Sequence, residues 1–152
     1  MNVRDLMTTQ ILTARADTPV YEVAAMMVDR AISGIPVLDA AGAVVGLITE
    51  RELVVRSTRI EPPAFLPVLD ARIPLETPSH YRRRLQHIVG TRAGDAMSEE
   101  FETISPDAEI EDLAALMTRP GVNPVPVVEN GLLVGIVSRA DIVRMMMRTP
   151  GS

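Results

Sequence analysis

The stretch from Ile32 to Val54, ISGIPVLDAAGAVVGLITERELV, decides the fold. It reads as a strand, a tight turn, a second strand and the start of a helix. Gly34 and Pro36 punctuate the entry, and Val37-Leu38 is apolar enough for a buried strand. Asp39-Ala40-Ala41-Gly42 is turn material, with Gly42 free to take a positive φ. Val44 to Ile48 is a second apolar run, broken only by Gly46. Thr49 then stands where a helix N-cap belongs, and Glu52 follows three residues later.

The same stretch returns as Val122 to Val143, VNPVPVVENGLLVGIVSRADIV. Ile35-Pro36-Val37 matches Val125-Pro126-Val127 at a shift of 90, and Gly46 matches Gly135 at a shift of 89. One residue is therefore missing from the second turn, where deletions are tolerated best. Thr49-x-x-Glu52 matches Ser138-x-x-Asp141.

Working outward, the repeat lengthens. Val3 to Met7 is a short lead-in before a strand expected over Gln10 to Thr13; Gly94 to Met97 leads into Phe101 to Thr103. Thr18-Pro19 reads as a hydroxyl cap with Pro at the first helical position. Val20, Val23, Ala24 and Met27 then fall on one helical face, and Ile110, Leu113, Ala114 and Met117 repeat that spacing. Each copy is strand–helix–strand–strand–helix. One copy alone covers its helices poorly, so the expected fold is α+β (α/β), two copies packed about a pseudo-two-fold. Residues 1–57 form repeat 1, 58–92 a Pro-rich intervening segment, 93–148 repeat 2 and 149–152 a tail. The segment holds five of the twelve Pro, with an extended or turn-rich crossing over 62–69 and a helix over 79–89. Met145-Met146-Met147 continues the last helix, either as core or as a dimer seam.

Composition excludes several classes. At 152 residues the chain is long enough to bury a sizeable core. No apolar run approaches the ~20 residues of a membrane span and no secretory leader is visible, so a cytoplasmic location is expected. Zero Cys removes disulfides, thiol nucleophiles and Cys-ligated zinc. His80 and His87 lack carboxylates at metal spacing, so no metal is expected. A net charge of −5 and few aromatics argue against a nucleic-acid binder. All 15 basic residues are Arg; Arg82-Arg83-Arg84 reads as a solvated helix face or as an anion contact. No phosphate-cradling Gly loop, dinucleotide fingerprint or nucleophile elbow is present, so no enzyme activity is expected.

Thr49-x-x-Glu52 and Ser138-x-x-Asp141 have a structural reading as capping boxes, in which hydroxyl and acid bond each other's backbone N–H. Their context adds a second reading. Each follows an apolar strand with Gly three residues before the hydroxyl, and each strand follows Ile-Pro-Val or Val-Pro-Val. The pattern resembles the CBS domain, the repeat named after cystathionine β-synthase; Ser33 to Glu52 fits it, and Asn123 to Asp141 fits nearly as well. The duplication resembles one CBS pair, a Bateman module.

The resemblance implies a regulatory module that binds an adenosyl ligand, AMP, ADP, ATP or S-adenosylmethionine, in clefts between the repeats. It implies no catalytic cofactor, a homodimer of two pairs, and a protein target on a separate chain. Asp141 and Glu52 would accept from the ribose hydroxyls, with Thr49 and Ser138 beside them. Glu52 departs from the usual Asp. The backbone of Ile32, Ser33, Gly34, Ile35 and Pro36, and of Val122, Asn123, Pro124, Val125 and Pro126, would face the base. Thr18 matches a family contact position, whereas its counterpart is Ala108; Gly34 becomes Pro124. Arg51 and Arg139 are candidate phosphate ligands or exposed first-turn arginines. The competing function is a ligand-independent dimerisation or interaction scaffold with vestigial pockets, motivated by Glu52 and Pro124.

Overall fold

The computed structural model describes residues 1–57, 65–68, 71–74 and 91–148. The helix expected over 79–89, with His80, Arg82 to Arg84 and His87, lies outside them, as does the 149–152 tail. The first copy runs α1 (Val3–Leu6), β1 (Ala14–Arg15), α2 (Val20–Arg30), β2 (Gly34–Leu38), β3 (Val44–Thr49) and α3 (Glu50–Ser57). Between the copies, β4 (Phe65–Val68) pairs antiparallel with β5 (Ala71–Pro74). The second copy runs α4 (Ala93–Ala96), α5 (Ile110–Met117), β6 (Val125–Glu129), β7 (Leu132–Val137) and α6 (Arg139–Arg148).

The quoted stretch folds as a hairpin leading into a helix. β2 and β3 pair antiparallel from Gly34↔Thr49 to Leu38↔Val44, and β6 and β7 from Val125↔Val137 to Glu129↔Leu132. In the first turn Asp39 Oδ1 accepts from the Ala41 and Ala43 amides, at 2.9 and 3.0 Å, and Gly42 has φ +89°. The second turn is Asn130-Gly131, both at positive φ, a two-residue loop suited to the strand twist. The missing residue of the second copy lies here.

β1 pairs parallel with β2 through Ala14↔Val37, and Ile104 repeats this as a single bridge to Val127. Both strands begin later than expected. Gln10 to Leu12 and Phe101-Glu102 instead line clefts between the copies. The apolar helix faces are as read. Val20, Val23 and Met27 are buried in one core, and Leu113 and Met117 in the other, with Ala24 and Ala114 half-buried.

The two cores are completed by exchange. Val3, Leu6 and Met7 belong to the core of the second copy, whereas Ala93, Ala96 and Met97 belong to that of the first. Hydrogen bonds fix the exchange. The Val3 amide donates to Ala108 O at 2.9 Å and the Ala93 amide to Thr18 O at 2.7 Å. Thr8 and Ile136 exchange backbone bonds at 2.8 and 3.0 Å, as do Ser98 and Leu47 at 2.9 and 3.0 Å. Arg4 donates to Glu129 at 3.0 Å and Asp107 at 3.3 Å, and the hydrogen bond to Glu129 is the main reason its pKa is raised.

This explains two strand glycines. A Cβ at Gly46 would sit within 3.0 Å of the Met97 Sδ, Cγ and Cβ, and one at Gly135 would meet the Met7 Cγ at 2.9 Å. Each strand is bare where the other copy's methionine crosses it. The expected cap at Thr18 is also replaced. Thr18 Oγ1 accepts from the Arg15 amide at 3.0 Å, closing the turn after β1. Pro19 stands at the N-cap, and the Val20 amide donates to Thr91 O at 2.8 Å. Met145 to Met147 do extend α6, but Met146 and Met147 are exposed and do not belong to the core. No helix among the described residues is long and apolar enough to cross a membrane.

Two substitutions test this packing. Gly46→Val should lower unfolding free energy by about 1–3 kcal/mol through overpacking against Met97. Adding Met97→Ala should recover part of that loss in urea titrations, because the two residues share one site. Ala31 ends α2 at φ +51°, and Gly121 holds the equivalent position at φ +78°. Ala31→Gly should therefore stabilise the chain by about 0.5–1 kcal/mol, seen as a melting temperature a few degrees higher.

Candidate functional site

The exchange sets the copies facing each other, and among the described residues two clefts open between them. One is about 640 Å³ and the other about 630 Å³. Each takes the hydroxyl–acid motif from one copy and the strand entry from the other. The first joins Ser138 and Asp141 to Ile32, Ser33 and Gly34. The second joins Thr49 and Glu52 to Val122, Asn123 and Pro124. Ser33, Asn123 and Pro124 line both and form the wall between them. The wall is tight, since a Cβ at Gly34 would lie 2.7 Å from Pro124 Cδ. Gly34 is bare because its own counterpart packs onto it.

The motifs also cap their helices, with the acid reaching back. The Thr49 amide donates to Glu52 Oε2 at 2.7 Å, and the Ser138 amide to Asp141 Oδ2 at 2.7 Å. The hydroxyls depart from the expected box. Thr49 and Ser138 donate their protons to the same carboxylate oxygens, the latter at 3.2 Å. Thr49 Oγ1 accepts from the Arg51 amide at 3.2 Å, the second helical residue, not the third. The capping therefore occupies one oxygen of each acid.

Asp141 is only 9% exposed, and a carboxylate so placed needs partners. Arg144 supplies one, donating to Oδ1 at 2.5 Å. The residues are three apart and share a helix face, which brings Arg144 into the first cleft. A carboxylate has about four acceptor sites, of which Ser138 and Arg144 fill three, leaving room for a further donor. At Glu52, Oε2 takes both contacts from Thr49 and no hydrogen bond to Oε1 is present among the described residues.

The other expected residues divide clearly. Arg51 and Arg139 both line the second cleft. Arg139 comes from the same motif as Asp141 yet faces the other way. Two residues turn a helix by about 200°, so they project to opposite sides. The Arg139 amide donates to Asn123 Oδ1 at 2.9 Å, and its guanidinium to Met117 O at 3.1 Å. Five residues stand outside the cleft walls. Ile35, Pro36, Val125 and Pro126 are fully buried, because both faces of their strands are covered. Thr18 lies in the exchange contact with Ala93. Residues not anticipated include Thr8, Arg30 and Arg144 in the first cleft, and Ser98, Glu100 and Arg119 in the second. Only Arg144 carried a local signal, its spacing from Asp141. The rest enter through the exchanged lead-ins or from the ends of α2 and α5.

Comparison with known proteins agrees with this architecture. The family model described as "CBS domain" matches residues 3–58 and 93–148. A protein of Methanocaldococcus jannaschii, MJ1426, is 28% identical over 157 residues, which cover 97% of this chain and 92% of that protein. Among solved structures, CBSX2 of Arabidopsis thaliana in complex with AMP superposes with a TM-score of 0.72 at 21% identity. That likeness covers 97% of this chain and 96% of CBSX2. The CBS domain pair of protein MJ0100, in complex with 5′-methylthioadenosine and S-adenosyl-L-methionine, gives a TM-score of 0.71 at 20% identity. It covers 96% of this chain and 99% of that pair. With the duplicated motif, the exchanged cores and the match over both copies in place, the chain belongs to the CBS domain family as a tandem pair.

Proposed function

We propose that this chain is a non-catalytic regulatory module that binds an adenosyl compound, AMP, ADP, ATP or S-adenosylmethionine, between its two repeats. The observation that carries this reading is the position of Asp141. A nearly buried carboxylate, held by the start of its own helix, borders a cleft whose opposite wall is the entry strand of the other repeat. The open acceptor site of such an acid takes one hydroxyl of a ribose, and the Ser138 hydroxyl, by turning off Oδ2, frees a site for the other. Ile32, Ile136 and Val137 supply apolar wall for a base, and main-chain groups of Ser33 and Gly34 lie alongside. Support also comes from the adenosyl ligands named for CBSX2 and the MJ0100 pair. Glu52 with Thr49 plays the same part in the second cleft.

Val54, Val143, Met146 and Met147 are exposed on α3 and α6. A second copy covering them would make the module a homodimer, and ligand binding would reach a separate protein target through its shape. The competing reading, a ligand-independent scaffold, draws on one observation: Asp141 and Glu52 already close their own helix caps.

A thermal-melt panel of AMP, ADP, ATP and S-adenosylmethionine separates the two. Ligand at 100 times its Kd should stabilise the chain by about 2.7 kcal/mol. Asp141→Ala should remove most of that shift. Absence of any shift at millimolar ligand, in a chain that Asp141→Ala destabilises only through its cap, would establish the scaffold reading.

A further inference from the structure

The duplication supplies its own control, since the same fold has built two clefts of nearly equal volume with different charge. The first cleft is lined by one acid, Asp141, and two arginines, Arg30 and Arg144. The second is lined by four acids, Glu50, Glu52, Glu100 and Glu102, against Arg51, Arg119 and Arg139. The difference lies at equivalent positions. With the shift of 90, Arg30 becomes Pro120 and Gln10 becomes Glu100; with the shift of 89, Val55 stands where Arg144 does.

Two of the three arginines of the second cleft bond within their own repeat: Arg119 is paired with Glu102 at 2.9 Å, and Arg139 donates to Met117 O. Four carboxylates there outnumber the three arginines, and Glu50 and Glu52 flank Arg51 in the first turn of its helix. In the first cleft Arg30 is exposed, and no ion pair to it is present among the described residues. Arg144 uses one N–H on Asp141, and a guanidinium has five. Its side chain remains 60% exposed.

We infer that the Asp141 cleft is the one that takes a phosphorylated adenosine, with Arg30 and Arg144 meeting the phosphate, and that the Glu52 cleft rejects phosphate. This rests on the adenosyl reading above and names the chemical class that each cleft accepts. Asp141 and Arg144 then act as a unit. The acid meets the sugar, and its own ion-pair partner, one helical turn further on, meets the anion attached to that sugar. The arginines of the hydroxyl–acid motifs themselves, Arg51 and Arg139, are excluded from this role because both stand among the carboxylates of the other cleft.

Isothermal titration of the full chain with adenosine and with AMP tests the assignment. AMP should bind one per chain and more tightly than adenosine. Arg30→Gln, on an exposed side chain, should weaken AMP by about tenfold or more and leave adenosine within about twofold. Arg30→Lys should recover part of the AMP affinity, whereas Arg144→Gln, which also takes the ion-pair partner from Asp141, should weaken both ligands and AMP more than adenosine. Two AMP per chain of equal affinity would overturn the inference, as would equal losses for both ligands in Arg30→Gln or an unchanged AMP affinity. Those outcomes leave the adenosyl reading standing. Failure of the unaltered chain to bind AMP would overturn the inference, and failure to bind adenosine, AMP, ADP, ATP and S-adenosylmethionine alike would overturn the adenosyl reading with it.

Discussion

Met7 lies over the bare backbone of Gly135, and Met97 over that of Gly46. These two crossings hold the molecule together. Each carries a lead-in segment from one repeat into the core of the other, where Val3 or Ala93 is fully buried beyond it. Neither repeat closes its apolar interior with its own residues. Burial of aliphatic surface gives the energy, and the glycines give the room. The consequence is geometric: once the lead-ins are exchanged, the hairpins must face each other, and the start of each hairpin meets the helix cap of its neighbour.

The clefts are what that geometry leaves open. At the centre Gly34 and Pro124 come too close for any side chain on the glycine, so the repeats touch there and part on either side. Each cleft then has one wall that caps a helix and one wall that begins a strand. The capping carboxylates border the clefts. One oxygen holds the helix start and fixes the acid in place; at Asp141 the other accepts from Arg144. A group held this way is preorganised for a ligand, and little further ordering is needed on binding. The scaffold that stabilises the fold is thus the same set of residues that shapes the site.

Much of this was legible before any coordinates. The spacing of Val20, Val23 and Met27, and its return ninety residues later, fixes helix faces because apolar burial follows the 3.6-residue period. The deletion between the hairpins fell in the turn, as Asn130-Gly131 shows. The helix starts at Thr49 and Ser138 were readable from hydroxyl and acid at the right spacing. What could not be read depends on which repeat supplies each wall. Gly46 and Gly135 read as interruptions of a strand, because their reason is a methionine far off in the sequence: Met97 for Gly46, and Met7, more than half the chain away, for Gly135. Thr18 looked like a cap, but the amide that it would have served is satisfied from Thr91. Ile35, Pro36, Val125 and Pro126 followed the right motif, yet by then the chain has entered a sheet covered on both faces. Arg30 carried no signal at all, since nothing local places the end of α2 opposite Asp141.

The most direct measurement is a crystal structure of the chain grown with AMP. The account predicts one nucleotide in the cleft between Ile32–Gly34 and Ser138–Asp141, its ribose hydroxyls on Asp141 and its phosphate toward Arg30 and Arg144. An empty cleft beside Asp141 at saturating nucleotide, or AMP seated against Glu52 with its phosphate on Arg51, would contradict it.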